Sequence, residues 1–365
     1  MRCYDAGLNR SNFMPRVTTV TGLALLALVA LQSGASAQNL AFSLFERYVE
    51  PLRVQAGIPG ISAIIVQDGQ VVWERGFGHR DVEAVLPALP DTPYPIADLT
   101  QALSSTLLLQ CAERGDLSLD EPIVKWVPGA VDAGASLQQL MAHAAPGVTR
   151  GYKYDPSRFA LLGAPIAACT EQPYAKALAV ELLDRLVMSD AIPGREIHST
   201  PAELRQLFDA AVLDRYARTL TRMATPYRVD KRGRATRSEL PPAAFDAGHG
   251  LIASARDLAQ FDQALDSNLL LRDSTQQIAW TNAATAGVAL PTGLGWFVQN
   301  YEGERLVWHF GSAPDAYSSL MLRIPRRRLT LIMLANSDGL TAPFSLADGD
   351  VTSSLFARTF LRLFL

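Results

Sequence analysis

The stretch PYPIADLTQALSSTLLLQCAERGDLSLDEP, residues 93–122, decides the fold. Asp98 opens a long apolar run, and Gly115 closes it. The pattern predicts a helix from Asp98 to Arg114, with Gly115 as the residue that ends it in a left-handed turn. Gln101 follows Asp98 by one turn, so the two side chains share a helix face. A carboxylate and an amide at the polar start of an apolar helix pose the question of what this end of the helix does.

Outward from that helix, GISAIIVQDGQVVWERGFGHRD (60–81) reads as a β-hairpin turning at Asp68-Gly69. NLAFSLFERYVEPLRVQAG (39–57) before it is a short amphipathic helix. Beyond the centre, TPAELRQLFDAAVL predicts a helix capped by Thr200, with Pro201 in its first turn and Glu203 closing a capping box. SARDLAQFDQAL predicts another from Ser254. The chain then returns to strands in GLGWFVQNYEG, RLVWHFGSAPDAYSSLMLRIP and RLTLIMLANSD, with a turn at Pro325-Arg326, and ends in an amphipathic helix, TSSLFARTFLRLFL. Strands at both ends and helices between them predict an α/β chain of the α+β type. Its antiparallel sheet draws on both termini, is flanked by helices, and carries an inserted helical subdomain. The sheet part is expected at about 38–95 and 245–365, and the helical part at about 96–244.

Residues 14–38, MPRVTTVTGLALLALVALQSGASAQ, have a basic start at Arg16, an apolar run from about Leu23 to Leu31, and Ala35-Ser36-Ala37 before Gln38. This is the pattern of a secretory signal peptide over 1–37, with Met1 or Met14 as the start. Cleavage near Ala37-Gln38 would leave a periplasmic or secreted domain over 38–365. The apolar run is too short for a stable membrane span. A net charge of −3 over 365 residues gives no reason to expect nucleic acid as a partner. The basic cluster from Asp214 to Arg237 reads as a solvated surface excursion. Cys111 and Cys169 fall on predicted helices; an oxidising compartment permits a disulfide, but two buried free thiols are the default reading. No G-x-S-x-G, H-E-x-x-H, Cys/His cluster or Gly-rich phosphate loop occurs, so no metal or cofactor is expected.

An ordered series of segments resembles the serine β-lactamase and penicillin-binding-protein-like hydrolases, especially the class C β-lactamase and esterase branch. The hairpin at 60–81 and the run from Ala97 to Pro128 are similar to that family's opening hairpin and central helix. SLQQLMAHAAPG, with His143, resembles its L-L-x-H-x-S-G segment, and YDPSRFALLG, from Tyr154, its Y-x-N-x-x-Y-x-L-L-G. GHGLIASARDLAQF, GLGWFV, WHFG and LANSDG complete the series over residues 40–362. The resemblance implies a β-lactamase/transpeptidase-like fold, and chemistry that runs through Ser-x-x-Lys at the start of the central helix. A serine hydroxyl needs a neighbouring base to become a nucleophile.

Here the matching positions are Asp98 and Gln101. No Ser-x-x-Lys exists in any other register, because the four lysines, Lys125, Lys153, Lys176 and Lys231, follow Pro122, Arg150, Pro173 and Arg228 by three residues. Tyr154 keeps the family's tyrosine, and Pro156 replaces its asparagine. His309-Phe310-Gly311 matches the H-x-G variant of its third motif. The resemblance places an oxyanion hole between the backbone N–H groups of residue 98 and Ser312. Ten residues separate His143 from Tyr154, fewer than in relatives, which implies a trimmed cleft.

Asp98 reads as a first-turn or N-cap residue rather than a nucleophile. Gln101 lies within reach of Asp98 or Tyr154 and cannot take a proton. His143 packs or caps a turn. His309 is the titratable group expected to remain in the cleft, with Trp308 and Phe310 on the opposite face. The reading is therefore a vacated catalytic site that holds a small acyl, peptide or peptidoglycan-derived ligand. The alternative is an ester or amide hydrolase using Asp98 or His309 with Tyr154.

Overall fold

The computed structural model describes residues 1–2, 40–145, 151–195, 206–239 and 245–365. The chain divides into two compact units, Met1–Arg47 and Tyr48–Leu365. Of the first, residues 40–47 are helical. The expected leader, 1–37, lies almost wholly outside the described residues. No described helix is long and apolar enough to cross a membrane.

The second unit is built on a seven-stranded sheet. Its order from one edge is Phe297–Tyr301, Glu304–Ala313, Tyr317–Ile324, Leu329–Ala335, Gly60–Gln67, Gln70–Asp81 and Leu86–Pro87. Every pairing is antiparallel, and Ile61 opposite Ala335 joins the first long strand to the last. The hairpin turns at Asp68 and Gly69, whose φ values of 52° and 72° are the paired positive angles of the tight turn that matches strand twist.

The central helix is Thr100–Arg114, entered through a 3₁₀ turn at Ala97–Leu99 and ended by Gly115 at φ 80°. The Asp116 N–H returns to the Cys111 carbonyl, satisfying the helix end. Every residue from Thr100 to Cys111 is buried, polar ones included. A helix enclosed on all sides needs partners for its hydroxyls: Ser104 and Thr106 bond back to Thr100 and Ala102 carbonyls, and Ser104 also meets the Tyr174 hydroxyl at 2.6 Å.

Two expectations change. Cys111 and Cys169 are joined in a disulfide, with Cα atoms 6.1 Å apart, instead of standing as free thiols. Helix Gly163–Thr170 packs on the central helix, which brings together two positions 58 residues apart. The helix expected from Thr200 has its start outside the described residues. Residues 206–208 are not helical, and the described helix is Ala210–Thr221, capped by Asp209 accepting from the Val212 N–H.

Candidate functional site

The start of the central helix is clamped from two sides. On the sheet side, Gly311 lies against the Ile96 carbonyl: a Cβ there would come within 2.0 Å of that oxygen. Only glycine lets the strand and the helix entry approach this closely. The Ser319 hydroxyl donates to the same carbonyl at 2.8 Å. On the other side, Tyr94–Pro95 pairs with Ile252–Ala253, and the Ile96 N–H continues the ladder to the Leu251 carbonyl at 2.9 Å. The Leu251 N–H then donates to the Thr100 hydroxyl at 3.2 Å. Between these clamps Ala97 sits at φ 49°, a left-handed angle rare for a residue with a Cβ, and presents Asp98.

Asp98 does not cap its own helix, where no side-chain cap is formed. Its half-buried carboxyl lies within electrostatic reach of the Ser312 backbone N–H and the Tyr154 hydroxyl, both of which favour its ionised form. Burial pushes this carboxyl up to about 7; His249, the Ser312 N–H and Tyr154 oppose the shift, and Asp246 adds to it. The donor that the resemblance assigns to an oxyanion thus favours charge on the side chain that stands where the nucleophile would be.

Gln101 is fully buried and engaged at both ends. Its Oε1 is 2.9 Å from His143 Nε2, and its Nε2 donates to the Tyr154 hydroxyl at 3.5 Å. The Asp155 N–H donates to His143 Nδ1 at 3.2 Å, so the proton of the neutral ring belongs on Nε2 and points at Gln101. Burial, with His309 and Arg158 nearby, pushes His143 down to about 3. The bonds run in one direction, from Asp155 through His143 and Gln101 to Tyr154. Burial and the Asp98 carboxyl raise the Tyr154 phenol well above its ordinary value, so it serves as a donor at neutral pH.

His309 lies outside this chain. It is buried, its Nδ1 bonds the carbonyl of the next residue, Phe310, at 2.7 Å, and burial pushes it down to about 4. Phe310 is the residue of that strand that stacks on Tyr154, with ring centroids 5.4 Å apart. The expected division of faces, with Phe310 turned away from the cleft, therefore does not hold.

Sequence reasoning passed over His249 and Asp246. Asp246 Oδ1 accepts from the Gly248 N–H at 2.7 Å and the His249 N–H at 3.1 Å, folding the turn around itself. His249 Nδ1 lies 3.0 Å from the same oxygen, close as an ion pair though out of line for a straight hydrogen bond. Asp246 raises the imidazole above its ordinary value against the effect of burial, and Asp98 adds to the rise. The turn is pressed against the helix that follows Tyr154: a Cβ at Gly248 would lie 2.5 Å from the Pro156 carbonyl oxygen. Among the described residues no group of three or more His, Cys, Asp or Glu side chains is arranged to hold a metal ion.

The family model described as Beta-lactamase matches residues 45–352. Protein flp of Staphylococcus aureus (strain N315) is 24% identical over 326 residues, covering 76% of this chain and 60% of its own length. The chain thus spans about 60% of the length of that curated relative. Human serine beta-lactamase-like protein LACTB, mitochondrial, is 36% identical over 77 residues, 21% of this chain and 14% of that one. Among solved structures, the octameric penicillin-binding protein homologue from Pyrococcus abyssi superposes with a TM-score of 0.67 at 23% identity, over 84% of this chain and 75% of that one. D-alanine carboxypeptidase AmpC from Burkholderia cenocepacia gives 0.67 at 21%, over 89% and 99%. These structural likenesses speak for the fold.

Proposed function

The chain belongs to the Beta-lactamase family, and we propose that it has left that family's acyl-enzyme chemistry and keeps the old cleft as a binding site for a small acyl, peptide or cell-wall-derived ligand. It is a pseudoenzyme with respect to serine catalysis. The observation that carries this is the fate of the Ser-x-x-Lys positions. Asp98 carries a carboxyl in place of the hydroxyl, with its charge favoured by the Ser312 N–H and the Tyr154 hydroxyl, and Gln101 is held between His143 and Tyr154. Neither is a hydroxyl with a free base beside it. Groups that act as a unit fail together: in subtilisin, removal of the serine or histidine alone costs roughly a million-fold. Attack by Asp98 on an ester would give an anhydride, a poor route for acyl transfer. Secretion, proposed from the leader pattern at 1–37, would place the cleft among cell-wall fragments.

The test is covalent labelling. Incubation with a fluorophosphonate or a labelled penicillin, followed by intact-mass spectrometry, should leave the chain unmodified, while muropeptide fragments raise its melting temperature. A stoichiometric acyl or phosphonyl adduct in the cleft would overturn the reading. The second reading, an ester or amide hydrolase using Asp98 or His309 with Tyr154, loses its His309 arm, because that ring is buried and bonded to its own strand.

A further inference from the structure

At its far end from Asp98, the central helix carries the disulfide that ties it to helix Gly163–Thr170. Thr100 and Cys111 are roughly 16 Å apart along the helix axis, so this end is separate from the cleft. The two sulfurs differ in their surroundings. Cys111 is fully buried, whereas Cys169 lies in the last turn of its helix and is part exposed. Arg114 bridges them: its Nη2 stands 2.9 Å from Cys169 Sγ and 3.4 Å from Cys111 Sγ. Asp116 holds the guanidinium through Nε at 2.7 Å, and its Oδ2 lies 3.5 Å from Cys169 Sγ.

We infer that Cys169 is a site of reversible S-thiolation, where a low-molecular-weight thiol is captured as a mixed disulfide while Cys111 leaves as a thiolate paired with Arg114. The incoming thiolate bonds to Cys169 Sγ, the Cys169–Cys111 bond breaks, and its electron pair passes to Cys111 Sγ. The proton of the incoming thiol goes to solvent. One disulfide is consumed and one is formed, so the thiol is the sole co-reactant and no oxidant is required. Attack of the freed Cys111 on Cys169 expels the thiol and restores the tie.

Access and charge set the direction. Solvent reaches Cys169 and not Cys111, so the attacking sulfur meets Cys169. At Cys169 the Arg114 cation is offset by the Asp116 carboxylate at a similar distance. Among the described residues no carboxylate touches Cys111 Sγ, so the cation acts on that sulfur alone. Burial disfavours a free thiolate there, and the helix C-terminus adds a partial negative charge of about half an elementary unit. A full positive charge 3.4 Å away outweighs that half unit and makes Cys111 the leaving group. The opened form keeps its packing, because Leu162 and Ile166 stay in the core and the Tyr174 hydroxyl still meets Ser104 at 2.6 Å.

The experiment is anaerobic incubation of the purified full chain with reduced glutathione, followed by acid quenching and intact-mass spectrometry. Peptide mapping separates Cys169 from Cys111 and from Cys3. The wild type should gain one glutathione, on Cys169, with Cys111 as a free thiol. Arg114→Ala and Arg114→Gln should open the disulfide roughly ten-fold more slowly, and Arg114→Lys should keep most of the rate. A purely structural role for Arg114 gives the opposite sign, because a loosened helix end exposes both sulfurs and speeds the reaction. Circular dichroism checks the fold of each variant. An adduct on Cys111, no adduct on the folded wild type, or a rate in folded Arg114→Gln equal to or above that of the wild type overturns the inference. None of these outcomes touches the acyl-enzyme reading, which covalent labelling of the cleft decides.

Discussion

His309 and His249 both lie close to the start of the central helix, and their surroundings give them opposite characters. His309 sits in a long strand, buried, with Nδ1 held by the neighbouring carbonyl and its basicity pushed down to about 4. His143 is also buried and neutral, pushed to about 3 and locked into the chain of bonds that ends on Tyr154. His249 stands on a turn, part exposed, with Asp246 raising it. Burial without a counter-charge removes a histidine from proton exchange, and a carboxylate partner keeps one in it. The H-x-G motif that the resemblance matches holds the inert ring, and the histidine that stays in proton exchange lies in the turn before LIASARDLAQF.

The strongest way to break this contrast is to remove the Asp98 charge, which helps to raise His249. Asp98 titrates in the folded state at about 7, above its ordinary range. The folded chain therefore binds this proton more tightly than the unfolded one. The stability it contributes is full below about pH 4 and is lost as pH rises through 7. Asp98→Asn never ionises, so its advantage over the wild type should grow by roughly 2–4 kcal/mol between pH 5 and pH 8 in urea unfolding. A constant difference across that range would mean that the carboxyl is solvated after all.

Next comes the structural member of the pair. His143→Ala leaves the buried Gln101 Oε1 and the Asp155 N–H without their partner, and should cost roughly 2–3 kcal/mol by the same measurement. His249→Ala, on a half-open turn, should change stability by less than about 1 kcal/mol. Equal losses would erase the distinction between a ring that holds the fold and one that stays in proton exchange. The smallest effect belongs to Tyr154→Phe. Loss of the hydroxyl that favours the ionised carboxyl raises Asp98 further, so the pH dependence of stability should move up by a fraction of a unit in urea unfolding.

Much of the architecture is written in local patterns. The helix ending at Gly115 and the hairpin at Asp68-Gly69 follow from periodicity and from residues that tolerate positive φ. The loss of Ser-x-x-Lys is equally plain, because it is a matter of spacing along one chain. The disulfide is not legible: Cys111 and Cys169 meet only because two helices pack, which no local pattern encodes. The clamp on the helix entry depends on a ladder of two-residue strands, Tyr94–Pro95 and Ile252–Ala253, too short to leave an alternating signature. Gln101 illustrates the middle case. Its place one turn after Asp98 is a helix-face argument, whereas its bond to His143 requires a residue at φ 51° some forty positions later.

The most direct test of the central claim is a proton–carbon NMR titration of the histidine rings from pH 4 to pH 9, with His249 assigned by its absence in His249→Ala. His249 should titrate above 6.5, and its midpoint should fall in Asp98→Asn and again in Asp246→Asn, while His143 and His309 stay neutral down to pH 5. A His249 midpoint at or below 6.5 that ignores both substitutions would contradict the account.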